Sequence, residues 1–408
     1  MIISFEVRNF KSINDQITIS FVANNYNDST QYEPYFSFGK QNILKGIGLF
    51  GANASGKSNV LEAMNAFART IVQTTNFSEH QENTAIIPFA FNESKEEKPT
   101  TFGLKFILNG IKYEYSISLT RRKIIEESLS FSPKGRIVSL LKKNGSDLIL
   151  NERYFDQDIN KLIKERNIPN KPIVTFAAQF NIRYLRDVYS YVHDKFTFTN
   201  GLYNAYEQGI GNLIDKSSEY QNFLVSLMKA ADLSIDDVNI VKTKNPISVF
   251  PVSENLQNTI YKVYTTHTVK GKSYPFGLES ESLGTLKLMA FSSSLFHALK
   301  NGMIVVFDEF GSSLHPDLTK FMLSLFFDSN INQNRAQILF ATHDTHLLNE
   351  MILRRDEIYV VEKDKQSKET KVYPLSDFSV RKTENIENGF LNGRYINPPD
   401  IDSGDLKI

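Results

Sequence analysis

Eight residues near the start of the chain, Gly51-Ala52-Asn53-Ala54-Ser55-Gly56-Lys57-Ser58, fit the spacing G-x-x-x-x-G-K-S, with Asn59 directly after. The chemistry of that spacing is anion capture. Two glycines permit backbone turns closed to residues with a side chain, so successive N–H groups and the positive end of a following helix converge on phosphate oxygens. Lys57 reaches the β- and γ-phosphates of a nucleoside triphosphate, and the Ser58 hydroxyl is a natural Mg²⁺ ligand. The bland alternative is a glycine turn before an ordinary helix. Context favours phosphate binding, because the apolar run Ile47-Gly48-Leu49-Phe50 reads as a buried strand ahead of the loop and Asn59 to Phe67 as a helix after it.

About 250 residues downstream, Met303-Ile304-Val305-Val306-Phe307 reads as a fully apolar strand ending in Asp308 and Glu309. Ligands of parallel sheets gather at the carboxyl ends of strands. Asp308 then belongs to the Mg²⁺ shell and Glu309 polarises an attacking water as general base; the alternative is an exposed acidic turn. A further strand, Gln337 to Ala341, runs into Thr342-His343-Asp344. His343 is placed to hydrogen-bond the γ-phosphate or the water and report which nucleotide is bound. A metal cluster of His343, Asp344 and His346 is the competing reading, without a third well-spaced ligand in view.

Ser282-Leu283-Gly284-Thr285 opens a helical run through Leu286, Met289, Ala290, Leu295 and Leu299. A hydroxyl, free N–H groups and a dipole at a helix start make Ser282, Gly284 and Thr285 a second anion site; alone they are equally a helix cap.

The elements that must position these groups fit a chain of 408 residues, long enough for two or three domains or one large core with insertions. Lys+Arg and Asp+Glu balance at 46 each, so no net field attracts nucleic acid, and the cluster Arg121-Arg122-Lys123 reads as a solvated face before it reads as a contact. The absence of cysteine excludes disulfides and thiolate chemistry. The N-terminus alternates Ile3, Phe5 and Val7 with polar residues, an amphipathic strand rather than a signal peptide, and no apolar run approaches membrane-spanning length. A soluble cytoplasmic protein is expected.

Phosphate loop, long insertion, Ser-x-Gly helix, apolar strand ending Asp-Glu and strand ending in His follow one another in the order of the ATP-binding-cassette heads of the SMC/RecF/OLD class, which the chain resembles. More closely it is similar to stand-alone abortive-infection ATPases of the RloA/AbiLi type. The matching residues are Asn9-Phe10-Lys11-Ser12-Ile13, Gly51 to Asn59 (Walker A), Ile87-Pro88-Phe89 with Tyr113-Glu114-Tyr115, Glu281 to Thr285, Asp308-Glu309 (Walker B), Ser313-Leu314-His315-Pro316, Thr342-His343-Asp344, Leu353-Arg354-Arg355-Asp356 and Gly393-Arg394-Tyr395. The resemblance implies a P-loop ATPase head with a mixed sheet, flanking helices, an antiparallel β lobe and a helical insertion. It implies ATP as substrate, Mg²⁺ as cofactor, and at least a homodimer in which Ser282, Gly284 and Thr285 of one copy close over the γ-phosphate held by the loop of another. It also implies a separate effector protein encoded nearby. Two departures stand out: Phe310-Gly311-Ser312-Ser313 occupies the place where cassette heads usually carry an acidic residue, and the Mg²⁺-sensing glutamine has no clear position. Gln179, after the expected strand Pro172-Ile173-Val174-Thr175-Phe176, is one candidate, and an ordinary surface amide is the other reading of it.

These readings divide the chain into an ATPase lobe at 1–145, a helical insertion at 146–235, a second ATPase lobe at 236–395 and a loose tail at 396–408. The first lobe contains a hairpin from Thr101 to Leu119 around Asn109-Gly110. In the insertion, Tyr184, Leu185, Val188, Tyr189 and Val192 are spaced for one apolar helix face, without the heptads of a long coiled coil. Glu357 to Val361 is a late strand. The expected function is an ATP-driven dimerising switch in anti-phage defence. The alternative is a RecF-like clamp on duplex DNA; an OLD-like nuclease would need a metal-binding acidic domain after Arg394.

Overall fold

The computed structural model describes residues 1–25, 32–91, 98–200, 206–244, 259–312, 314–348, 352–378 and 384–395. Ser313 and the tail at 396–408 lie outside the described residues. Among the described residues the strands form two large sheets and two small ones.

One large sheet runs in the order Phe196–Asn200, Ile304–Asp308, Gln337–Thr342, Gly46–Phe50, Ile358–Lys363 and Thr370–Pro374, with every pairing parallel except the last. Gly46–Phe50 and Gln337–Thr342 are buried at every position, as strands covered on both faces must be. Successive side chains point to opposite faces. Ile304, Val306, Leu339 and Ala341 accordingly join one core with the helix Lys57–Gln73, while Val305, Phe307, Ile338 and Phe340 join another with the helices Leu283–Asn301 and Pro316–Phe327.

The other large sheet is an antiparallel lobe in the order Asp147–Leu150, Val138–Asn144, Ile124–Ser132, Ile111–Leu119, Thr100–Leu108, Ile2–Arg8 and Ile17–Ser20. Asn109 and Gly110, with φ of 51° and 75°, form the two-residue turn expected of that dipeptide. The helix Lys57–Gln73 lies between the two large sheets. Its Phe67 ring meets Phe5 and Phe102 of the antiparallel lobe at 5.9 Å, and Ala63, Met64 and Ile71 share the core with Ile304 and Val361. Burial on both sides explains why this helix is apolar well beyond a single stripe.

Two expectations are corrected. Residues 172–176 do not form a strand: Ile173–Gln179 is a helix, capped by Pro172. Its first amides, Ile173 N and Val174 N, donate to the buried carboxylate of Glu127 at 2.8 and 3.1 Å. A short β-branched run is ambiguous in isolation, and here a carboxylate at the helix start decides it. The stretch 146–235 is not helical throughout. Asp147–Leu150 and Phe196–Asn200 are strands, and the latter pairs in parallel with Ile304–Asp308. The face beginning at Leu185 does form a helix, Leu185–Lys195, with Leu185, Val188, Tyr191 and Val192 buried.

Gln337 joins the two large sheets. Its amide oxygen accepts from Ile2 N at 2.6 Å, and its amide nitrogen donates to the carbonyls of Ile2 at 3.2 Å and Leu44 at 2.9 Å. Gln337→Leu keeps the volume but strands three buried backbone groups, so urea denaturation should show a loss on the order of 2–4 kcal/mol; an unchanged midpoint would mean the two sheets do not depend on this amide.

Candidate functional site

The loop between Phe50 and Lys57 is wedged against the far edge of the parallel sheet. A Cβ on Gly51 would lie 2.1 Å from the Val361 carbonyl oxygen, and one on Gly56, whose φ is +107°, would lie 2.0 Å from Thr370 Oγ1. Neither position admits a side chain. A relay of polar groups then holds the loop: Asn59 Nδ2 donates to Ser12 Oγ at 2.6 Å, Ser12 Oγ meets Thr370 Oγ1 at 2.7 Å, and Thr370 Oγ1 donates to the Ser55 carbonyl at 3.0 Å. Ser12 is in turn set by its own loop, in which Asn9 and Lys11 have φ of 55° and 49°; Lys11 N donates to Ile87 O at 2.7 Å, and Asn9 Oδ1 accepts from Phe89 N at 3.0 Å.

The helix Lys57–Gln73 starts without a side-chain cap on its N-terminal amides and without an acidic residue in its first turn. Those amides and the positive end of the dipole therefore face whatever enters the loop, which is the electrostatic requirement for holding phosphate. Ser55 Oγ is buried with no protein partner. Ala52 is half-buried, and Asn53, Ala54 and Ser58 are exposed.

Lys57 Nζ donates to the Gly51 and Ala52 carbonyls at 2.8 and 2.9 Å and lies 3.4 Å from His343 Nδ1. Burial pulls the lysine down to about 8, opposed by the nearby charge of Asp308. Burial, and then the Lys57 charge, also holds His343 below its ordinary value, so the imidazole is neutral at pH 7. With Nδ1 facing an ammonium, the imidazole proton sits on Nε2, leaving a donor for an anion or a water.

Asp308 is half-buried at the end of its strand, and its Oδ1 accepts from Glu309 N at 3.1 Å. Glu309 is exposed and has φ 57°, a left-handed conformation costing roughly 1–2 kcal/mol. Its neighbour imposes it. Phe310 is buried against Phe307 and Phe340, its N donates to Ala341 O at 2.9 Å, and its carbonyl accepts from Thr342 Oγ1 at 2.7 Å. The Glu309 carboxylate is thereby carried on a backbone pinned to the strand that delivers His343.

A cleft of about 280 Å³ results, lined by Ala54 to Asn59 together with Asp308, Glu309, Ala341, His343 and Lys363. The Ser58 hydroxyl and the Asp308 carboxylate are the hard oxygen donors that Mg²⁺ takes alongside substrate phosphates, so this donor set fits that cation. Among the described residues no group of three or more His, Asp or Glu side chains converges to hold a metal; His346 Nδ1 pairs with Asp344 Oδ1 at 3.0 Å instead. Lys363, at the end of the strand beginning at Ile358, escaped the sequence reading; its only signal was its place at the carboxyl end of a strand beside the loop.

Gln179 is not at this cleft. It ends the helix Ile173–Gln179, and its side chain donates to Thr75 O at 3.0 Å, beyond the far end of Lys57–Gln73 and so roughly 25 Å from Lys57 at 1.5 Å per residue. The surface-amide reading is the correct one for this residue, and its assignment as an Mg²⁺ sensor is withdrawn.

Ser282, Gly284 and Thr285 are also absent from the cleft lining. Ser282 is the N-cap of Leu283–Asn301, with its Oγ accepting from Thr285 N at 3.1 Å. Behind the cap, Glu281 holds Thr265 Oγ1 and accepts from His267 Nε2 at 2.8 Å, fastening the turn to the strand Thr259–Val269. Gly284 differs from the loop glycines: a Cβ there would find only ordinary contacts, at 3.7 and 3.8 Å. Nothing among the described residues demands a glycine at this half-buried position.

A lysine whose folded-state value lies below the ordinary 10.5 loses its charge as pH rises through about 8, and a bound polyanion restores that charge. ATP binding above pH 8 should therefore take up a proton and weaken by about tenfold per pH unit. Calorimetry between pH 7 and 9 in buffers of different ionisation enthalpy measures both; a flat profile would mean that Lys57 stays charged throughout.

Among the described residues no helix is long and apolar enough to cross a membrane. The structure is similar in outline to SMC head domains, each at a TM-score of 0.42. These are an SMC head bound to the C-winged helix domain of ScpA (13% identity, 91% of this chain and 96% of that one), the SMC head domain from Thermotoga maritima (13%, 91% and 98%), and an SMC head with an extended coiled coil bound to the C-terminal domain of ScpA, derived from Pyrococcus furiosus (12%, 92% and 97%). No curated protein matches the sequence. The sequence model of one family matches residues 47–349, a span that begins at the strand feeding the phosphate loop and ends beyond His343, and the chain belongs to that family, described as "AAA domain, putative AbiEii toxin, Type IV TA system".

Proposed function

We propose that this AAA protein binds and hydrolyses ATP as a dimerising switch in abortive-infection defence, controlling a separate effector. The observation that carries the reading is the convergence of Lys57, Asp308, Glu309 and His343 on one cleft around an uncapped helix start. In this reading the amides of Gly51 to Asn59 and the Lys57 ammonium hold the β- and γ-phosphates, with Lys57 exchanging its contacts to Gly51 and Ala52 for phosphate oxygens. Ser58 and Asp308 would hold Mg²⁺, which would supply neutralisation of charge developing on the phosphates. Glu309 accepts a proton from the attacking water, and His343 Nε2–H donates to the γ-phosphate or to that water.

Ser282, Gly284 and Thr285 act from a second copy. The exposure of Ser282, the free space beside the half-buried Gly284 and the absence of all three residues from their own chain's cleft support an external anion as the occupant of that helix start. The place in abortive infection rests on the resemblance of the motifs and on the family description, which names a toxin of a type IV toxin–antitoxin system.

Glu309→Gln should lower turnover about 10²-fold or more while ATP-bound dimer accumulates on size exclusion. Lys57→Ala and Ser282→Arg should each be inactive alone. Mixed at equal amounts, they should regain measurable activity, at most about a quarter of wild type, because half the dimers then hold one intact loop facing one intact Ser-x-Gly helix. No recovery on mixing, or full activity of a strict monomer, would overturn the shared site.

A further inference from the structure

The loop that follows Glu309 is held from two directions. From the sheet side, Phe310 is pinned to Ala341 and Thr342, as described above. The other side belongs to the helix Leu283–Asn301, the same helix that begins at Ser282. Lys287, just over one turn into that helix, donates from Nζ to the Ser312 carbonyl at 2.5 Å. One turn earlier, the space beside Gly284 is bounded by Leu314 Cδ2, 3.8 Å from where a Cβ would stand. Between these contacts Ser312 N donates to Glu309 O at 3.1 Å and Leu314 N to Gly311 O at 3.0 Å. Gly311 has φ +79°, and a Cβ there would lie 2.6 Å from Thr319 Cγ2 of the next helix, so the turn has little room to shift alone. Lys287 and Glu309 also line one small cavity of about 20 Å³ together with Phe291 and Ser312. Glu309 is thus shared by two spaces, the phosphate cleft on one side and the contact with the Ser-x-Gly helix on the other.

We infer that Lys287 is a positioning residue that ties the helix bearing Ser282 and Gly284 to the loop bearing Glu309, so that an anion arriving on that helix is felt at the general base of the same chain. The physical basis is the short lever. Glu309 sits in a left-handed conformation sustained only by its neighbours, one hydrogen bond from Ser312, and Ser312 is held by Lys287. A shift of the helix start drags the Ser312 carbonyl, and through it the Glu309 backbone, with no other side chain needed as intermediary. In a dimer with shared sites, the triphosphate seated on this helix belongs to the partner's loop, while the Glu309 it adjusts serves the chain's own loop. Lys287 then couples the two hydrolysis events. This inference rests on the shared-site reading above.

The test is Lys287→Met, which keeps the length and apolar stem but removes the donor. ATP affinity, read with Glu309 intact in the presence of EDTA to prevent turnover, should stay within about twofold, and ATP should still drive dimerisation. Turnover should fall about tenfold and the Hill coefficient for ATP should drop towards one, the size expected of a lost coupling. Lys287→Arg, which can still donate to Ser312 O, should restore most of both. A purely structural lysine would lower the urea midpoint and leave the Hill coefficient where it was. Wild-type turnover and cooperativity in Lys287→Met would overturn the inference, as would loss of ATP affinity with turnover at saturation intact. Should Lys287→Met not fold, Leu314→Ala opens the space that Leu314 bounds beside Gly284 and is read the same way. Glu309→Gln and the Lys57→Ala plus Ser282→Arg mixture are run alongside: if they behave as proposed while Lys287→Met acts as wild type, only the coupling fails, whereas failure of the mixture removes the shared site itself.

Discussion

The hydroxyl of Thr370 stands where a side chain at position 56 would have to be, and the Val361 carbonyl stands where one at position 51 would. That double exclusion is the constraint on which the site depends. It presses the loop between strand and helix into a shape held by backbone alone, with Ser12, Asn59 and Thr370 as the hydrogen-bonded clamp behind it. Because the clamp consumes the side chains behind the loop, the amides in front are left for an anion. The antiparallel pairing that brings Thr370 beside the loop is therefore part of the site, and Lys363, paired with Thr370, lines the cleft.

A second consequence follows at the opposite wall of the cleft. Lys57 lies close enough to His343 for its charge to lower the imidazole's affinity for protons, and burial pushes both groups the same way. Asp308 is the counterweight for the lysine. The arrangement leaves one well-placed ammonium that is costly to keep charged without a partner, and a neutral imidazole with a single donor. A negative charge entering the cleft would offset the first, and the second offers it a donor.

Glu309 shows how the fold stores a conformation the residue would not choose. Its strand pulls one way and the buried Phe310 ring the other, and the left-handed backbone between them is the compromise. Since Phe310 is held by the strand that leads into His343, the backbones carrying Glu309 and His343 are fastened to one another. The contact from Lys287 adds the helix that begins at Ser282 to that unit.

Much of this is legible in the sequence. The G-x-x-x-x-G-K-S spacing, the apolar runs ending in Asp308-Glu309 and in His343, and the Asn109-Gly110 turn are local patterns whose physics is complete within a few residues: glycine conformations, burial on two faces, turn geometry. Residues 172–179 were not legible, because a short β-branched run suits strand or helix equally and only the distant carboxylate of Glu127 settles it. The same error carried Gln179 to the wrong end of the helix Lys57–Gln73. Nor could sequence reveal that Phe196–Asn200 completes the parallel sheet, that Lys363 lines the cleft, or that Ser12 and Thr370, 358 positions apart, share a hydrogen bond. Sequence alone determined which chemical groups the chain carries and the local backbone that presents them; which of those groups meet was decided by tertiary structure, because contact between distant segments depends on packing and burial that no local spacing encodes.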